Sequence, residues 1–341
     1  MKRVLGIAVI LLIIMAISAL IQPVFFDPYN IKNILRWTGL FGLLSLGEAF
    51  VIMTSGIDLS VGSIVGFIGA MTIYFLKVEG MSVPMALFVI LLLSASMGLL
   101  HGFLVTKVKL QPFVVTLCGL FVYRGLSRFI LQDSTQTYGN GFQGLKFLVE
   151  GRFPSSFWPN APQVIMDWSL PMPFVILIVF GIVLAIFLNR TIYGRYILAL
   201  GRNESAARFS GINTVRMVNL TYVISAVCAG LAGLLFSLDL NSVQPSTAGN
   251  AYELYAIAGC VVGGISLQGG EGNILGVIIG VAIVRVLYNA INILGIATQL
   301  ESAVIGVVIL VGVGADEIIR SYARKRRAFE MKKEVNESVA A

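Results

Sequence analysis

Ten apolar runs, most of them close to twenty residues long, constrain this 341-residue chain more than any other feature. About 30 Å of hydrocarbon, crossed at about 1.5 Å per helical residue, requires roughly 20 residues per span. The runs fall at about residues 4–21, 35–54, 58–76, 83–105, 111–131, 171–189, 215–238, 252–264, 273–293 and 300–319. They predict an all-α polytopic membrane protein of about ten transmembrane helices, with residues 1–341 forming one transmembrane domain. The charged fraction, 12%, is about half the roughly 25% of a soluble domain. The eighth run is too short to cross unaided, so a broken or re-entrant element is expected. Such backbone survives at membrane depth only where protein buries it or where it lines a polar cavity.

The first run follows a basic start, MKRVLG, and could be mistaken for a signal peptide. It is longer than the roughly 7–15 apolar residues of a signal, and no A-x-A cleavage site follows, so it is expected to stay as the first span. With that end inside, sixteen Lys and Arg fall on inner segments, five on outer segments and three within spans. The positive-inside rule then places both termini, the segment of about 190–214 and the basic tail 320–341 in the cytoplasm. The net charge of +7 is this loop bias and implies contact with membrane lipid, not with nucleic acid. The segment of about 132–170 falls outside. Its Gly, Pro, Ser and aromatic residues (YGNGFQG, RFPSSFWPNAP, DWSLPMP) suit an ordered outer cap, because Phe142, Phe147, Phe153, Phe157, Trp158 and Trp168 need somewhere to pack. Some of these rings are also suited to the membrane interface.

Motifs of enzyme chemistry are missing from the sequence: no G-x-S-x-G, no HExxH, no Cys/His cluster and no GxxxxGK[ST] phosphate loop. The chain is therefore expected not to be an enzyme and to bind no metal or cofactor of its own. Cys118, Cys228 and Cys260 read as small buried hydrophobes, and His101 as a packing residue near a helix end. Two Gly-rich stretches, GIDLSVGSIVG at Gly56–Gly66 and GISLQGGEGNILG at Gly264–Gly276, hint at an internal repeat, a common transporter device. Within the second stretch, SLQGGE superficially matches the signature loop of ATP-binding-cassette ATPases; without a phosphate loop it reads as a tight turn with close helix approach. Gly62/Gly66, Gly98/Gly102 and Gly276/Gly280 are small-xxx-small pairs suited to helix packing.

Charged groups inside spans are costly and are functional candidates by default. Arg285, Asn289 and Asn292 lie at i, i+4 and i+7 with Tyr288 adjacent, a polar stripe that either lines a path for a hydroxyl-rich solute or joins helices. Glu48 and Arg124 are expected to neutralise one another across the bundle. Asp58, at the start of the third helix, is expected to meet the helix dipole as a first-turn acid. Glu48, Asp58, Arg285, Tyr288, Asn289 and Asn292 together are the candidates for a translocation path.

The inner segment TIYGRYILALGRNESAARFSGI, Thr191–Ile212, is basic and Gly-punctuated. Asn203 is a good N-cap, Glu204 is a favoured first-turn acid, Ala206, Ala207, Arg208, Phe209 and Ser210 continue the turn, and Gly211 ends it. A helix of about two turns over Glu204–Ser210 is predicted, able to act as a rigid knob against a partner. A solvated loop held against anionic lipid is the plainer alternative.

Four stretches in order resemble the permease subunits of bacterial ABC sugar importers of the ribose, xylose and galactose type, a family related to the branched-chain amino-acid permeases. They are SGIDLSVGSIVG at Ser55–Gly66, QPFVVTLCGLFVYRGL at Gln111–Leu126, GRYILALGRNESAARFSGI at Gly194–Ile212 and GCVVGGISLQGGEGNILGVIIG at Gly259–Gly280. The family's usual Gly-x-Asn-Pro reads Gly201-Arg202-Asn203-Glu204 here, and glutamate at the first helical position keeps the helix compatible. The resemblance implies an ABC importer permease fold in the bacterial cytoplasmic membrane. It further implies a second permease subunit, separate ATPase subunits that hold ATP and Mg, and an extracytoplasmic sugar-binding protein. It places the ATPase contact on Gly194, Arg195, Gly201, Arg202, Asn203, Glu204, Ala206, Ala207, Arg208, Ser210 and Gly211. An ion-coupled secondary transporter of small polar solutes, or a branched-chain amino-acid permease, is the alternative.

Overall fold

The computed structural model describes residues 2–158 and 162–295 and a few single positions between 297 and 314. The expected tenth span, 300–319, and the tail 320–341 fall almost wholly outside the described residues. Within them, eight helices are long and apolar enough to cross a membrane. α1 (Lys2–Ile21), α2 (Pro28–Met53), α3 (Val61–Ile73, continued by a π turn to Val78), α4 (Val83–Thr106) and α5 (Pro112–Leu131) are followed by short α6 (Gln143–Glu150) and α7 (Gln163–Asp167). Then come α8 (Met172–Arg190), short α9 (Ile192–Arg202) and α10 (Glu204–Phe209), α11 (Thr214–Asp239), the eleven-residue α12 (Tyr252–Val262) and α13 (Ile274–Ile293).

α2 is the axis of the bundle: 83% of its apolar window is buried, against 6% for α1. It packs on α8, α11, α12 and α13, while α1 lies outside against α13. α2 begins seven residues before its apolar run does, because Asp27 caps it through the Tyr29 N–H at 2.8 Å and Pro28 takes the first helical position. The polar turn YNIKN hides that start from hydropathy. Every small-xxx-small pair sits at a close approach. A Cβ at Gly98 or Gly102 would strike the α11 backbone at Tyr222 or Asn219, and one at Gly276 or Gly280 would strike Gly263.

Two elements are interrupted. α3 starts at Val61, three residues after Asp58, so Asp58 is not a first-turn acid. Its buried carboxylate instead accepts from Ser60 N at 3.0 Å and from Ser225 Oγ at 3.1 Å, and its own N–H donates to Glu48 Oε1 at 3.1 Å. Glu48 lies five residues before the end of α2, about 7 Å inward at helical rise. The loop 54–60 therefore folds back into the bundle before α3 begins. α12, about 16 Å long at helical rise, is likewise preceded by irregular backbone inside the bundle. The two N-terminal ends meet, since a Cβ at Gly62 would fall on Gly249 O and Glu253 Oε2.

The opposite end carries the expected cap. β1 (Gln136–Thr137) pairs antiparallel with β4 (Ser242–Val243), and β2 (Arg152–Phe153) with β3 (Leu170–Pro171). Lys77 Nζ and the buried Lys146 Nζ donate to Thr137 O and Gly139 O at 2.7 and 2.6 Å, and Tyr138 OH meets Ser237 Oγ at 2.9 Å. Just beyond the end of α5, the Asp133 carboxyl is hydrogen-bonded at 2.7 and 2.8 Å by the guanidinium of Arg128 in the helix's last turn, which holds it below its usual range. Phe147 packs edge-on against Phe157, while Trp158 and Trp168 stay exposed.

A candidate coupling site at the basic end of the bundle

α8 ends at Arg190, and the chain turns directly into two short helices. Thr191 caps α9, its Oγ1 accepting from Gly194 N at 3.2 Å. Asn203 caps α10, its Oδ1 accepting from Ala206 N at 2.9 Å, and Ser210 Oγ donates back to Ala206 O at 2.9 Å. Gly211 takes φ +81° and closes the helix, and Asn213 caps α11 through Arg216 N at 3.0 Å. The short helix lies where its capping residues predict. α9 is the element that sequence reasoning missed; its signal was the Thr191 cap followed by Gly194, Ile197, Leu200 and Gly201, the buried face.

Of α10, only Ala207 is buried, in a small cluster with Leu200 and Met217. Arg202, Asn203, Glu204, Ala206, Arg208, Ser210 and Gly211 are exposed, as is Arg195 on α9. Phe209, which the sequence candidates omit, is 93% exposed at the tip. A large ring that a capped helix leaves uncovered is an anchor suited to a partner's pocket. Its only sequence signal was an aromatic amid polar neighbours.

Beneath the helices, three backbones converge. A Cβ at Gly201 would overlap Met53 O, at the end of α2, and Gly270 N, in the loop between α12 and α13. Gly270 N donates to Met53 O at 2.9 Å and Arg202 Nε to Gly270 O at 3.3 Å. The second Gly-rich stretch singled out in the sequence thus touches the candidate coupling segment through Gly270, and Met53, just before the first stretch, touches it too. Beside them opens a cavity of about 860 Å³, lined by Lys107, Lys109, Glu204, Arg208, Asn213 and, among others, Tyr222.

The translocation candidates divide. Glu48 and Asp58 are joined through the Asp58 N–H, and the expected Glu48–Arg124 pair does not form. Arg124 Nη1 instead reaches Ser246 O and Asn250 Oδ1, each at 3.3 Å, because the loop before α12 stands next to α5. Arg285 is buried with its guanidinium over Phe41 at 3.9 Å, Tyr255 at 4.7 Å and Tyr288 at 5.2 Å, a cation–π setting. Asn289 and Asn30 exchange side-chain amide hydrogen bonds at 2.6 and 3.0 Å, joining α13 to α2, and Asn292 bonds back to Tyr288 O. The stripe therefore splits, with Asn289 acting as a helix joint. His101 is buried against Tyr123 OH at 2.9 Å; Cys118 is exposed on α5, unlike buried Cys228 and Cys260.

Glu48→Ala is expected to cost about 2–5 kcal/mol, since it opens a cavity and strips the Asp58 N–H of its acceptor. Glu48→Gln, whose amide oxygen can still accept, should stay within about 1.5 kcal/mol. Thermal melts in detergent separate the two; equal losses would show that the shared hydrogen bond matters little.

No solved structure matches the chain. The ribose import permease protein of Bacillus subtilis (strain 168) is 36% identical over 307 residues, 90% of each chain. That of Haemophilus influenzae is 37% identical over 91% of each chain, and the D-allose transport system permease protein of Escherichia coli K12 is 33% identical over 91% of this chain and 90% of its own. The family model described as the permease component of the branched-chain amino acid transport system matches residues 30–313. With relatives over nine-tenths of its length and a family match across nearly every described span, this chain belongs to the branched-chain amino acid transport system permease component family.

Proposed function

We propose that this chain is the membrane-spanning subunit of an ATP-driven importer of a ribose-like monosaccharide. The relatives named for ribose and allose import support the sugar over a branched-chain amino acid. In this reading the basic end faces the cytoplasm of a bacterium, with both termini on that side. A second permease subunit completes the pathway, separate ATPase subunits bring ATP and Mg, and an extracytoplasmic sugar-binding protein docks on the cap end. The chain itself hydrolyses nothing. α10 is the part the ATPase grips, and the observation that carries this is the capped helix with Phe209 uncovered at its tip. The sugar passes beside the interrupted helices α3 and α12, near Glu48 and Asp58. Arg285 and Tyr288 stand behind them, and Asn289 and Asn292 hold the wall.

Uptake of labelled ribose into vesicles carrying the chain, its ATPase and its binding protein tests this directly. Uptake should require ATP and all components, and a cysteine at Ala206 should cross-link to the ATPase. Uptake driven by an ion gradient in vesicles with this chain alone would instead establish a secondary transporter. Phe209→Ala is expected to weaken ATPase binding roughly 30-fold, the factor for an anchor worth about 2 kcal/mol, as measured by titrating the ATPase against the solubilised chain.

A further inference from the structure

Ser55 stands where the three segments of the basic end meet. Its hydroxyl shares one proton between Gln268 O at 2.9 Å and Gly201 O at 3.3 Å. It does so from a left-handed backbone, φ +64°, that serine seldom adopts and glycine adopts freely. A serine where glycine would be easier points to its hydroxyl. The packing around it has no slack: a Cβ at Gly269 would stand 2.9 Å from Ser55 N and 3.0 Å from Gly201 O. Backbone against backbone cannot yield by rotamer change, so a push on one segment is passed to the others. Ser55 also opens the loop that folds back into the bundle. Three residues on, Asp58 is bonded to Glu48 and Ser225, and α3 then starts where it meets the N-terminus of α12.

We propose that Ser55 is a positioning residue for force transmission. Its hydroxyl locks the α9–α10 segment to the α12–α13 loop, so that a displacement of α10 moves the ends of α2 and α12 and the loop 54–60 as one block. This rests on the reading of α10 as the ATPase dock. It assigns SLQGGE a mechanical part, as the second arm of the junction. The block delivers its motion to the buried Glu48–Asp58 pair and from there to the N-terminus of α3.

The test uses the full importer reconstituted in vesicles with its ATPase and binding protein, and it compares Ser55→Ala with Ser55→Gly. Glycine relieves the left-handed backbone, so strain at that position cannot explain its phenotype, and co-purification with the ATPase reports that the complex still assembles. Both variants should co-purify with the ATPase and hydrolyse ATP within about twofold of wild type, while uptake falls about tenfold or more, raising the ATP consumed per sugar about fivefold or more. Wild-type uptake with an unchanged ATP-to-sugar ratio in Ser55→Gly overturns the proposal, because the hydroxyl then transmits nothing. Loss of ATPase co-purification in both variants also overturns it, placing Ser55 in docking. The wild-type complex tests the importer reading separately: if it shows no ATP-driven uptake, that reading fails before any variant is compared.

Discussion

Gly201→Val is expected to abolish ATP-driven uptake, by roughly 100-fold or more, the factor of about 3 kcal/mol that overpacking at the upper end of its usual range supplies. The substitution would place its first carbon on Met53 O and Gly270 N. Neither is a side-chain end that can turn away; both are main-chain atoms, and they are bonded to each other at 2.9 Å. Accommodating the new side chain means prising the end of α2 from the α12–α13 loop and losing that hydrogen bond, worth about another 1 kcal/mol. Gly211→Ala is the control within the same segment. Its φ of +81° makes a side chain strained, but no atom stands within 4 Å of the added carbon. That change should cost only about 1 kcal/mol and leave uptake near wild type. Uptake in vesicles reads both variants; normal transport by Gly201→Val would show that the junction opens freely.

Gly280→Leu should be the most destabilising change in the spans. At the α12–α13 crossing, a carbon on Gly280 would overlap Gly259 O and Gly263 N, and one on Gly276 would overlap Gly263 O. A whole leucine side chain must push the two helices apart. α13 also carries Arg285, whose guanidinium sits 4.7 Å over Tyr255 of α12. Separation removes that cation–π contact, worth about 2 kcal/mol when desolvated, on top of an overpacking cost of roughly 1–3 kcal/mol. The variant should aggregate or melt far below wild type in detergent. Gly6→Leu on α1, where nothing lies within 4 Å, should stay within about 0.5 kcal/mol. Equal melting of the two would mean that α12 and α13 tolerate a wider crossing.

Hydropathy and end chemistry made the spans and α10 legible, because a helix's length and its Asn, Thr or Gly boundaries are local properties. The start of α2 was not, since Tyr29–Asn33 is polar on the surface of an otherwise apolar helix. α9 went unseen because its buried face, Ile197 and Leu200 among glycines, is too sparse to register as a period. The Glu48–Arg124 pairing failed for a different reason: which charges face one another is decided by how the loop before α12 runs, and nothing in either helix encodes that. The same holds for Ser55, whose partners lie 146 and 213 residues away. Gly-rich stretches can be read as close approaches, but what approaches them cannot.

The burial of α2 bears on the order in which the chain is assembled. α1, with a mean hydropathy of 3.2, can settle in lipid as soon as it is made, whereas α2, at 1.3 and with Glu48 in its wall, is a poor lipid-soluble helix on its own. Its partners α8, α11, α12 and α13 all begin at residue 172 or later. α11 is complete only when Asp239 has been made, which at 5–20 residues per second takes roughly 10–40 s after Met53. During that interval α2 must be sheltered by the insertion machinery, because the neighbours that will surround it do not yet exist.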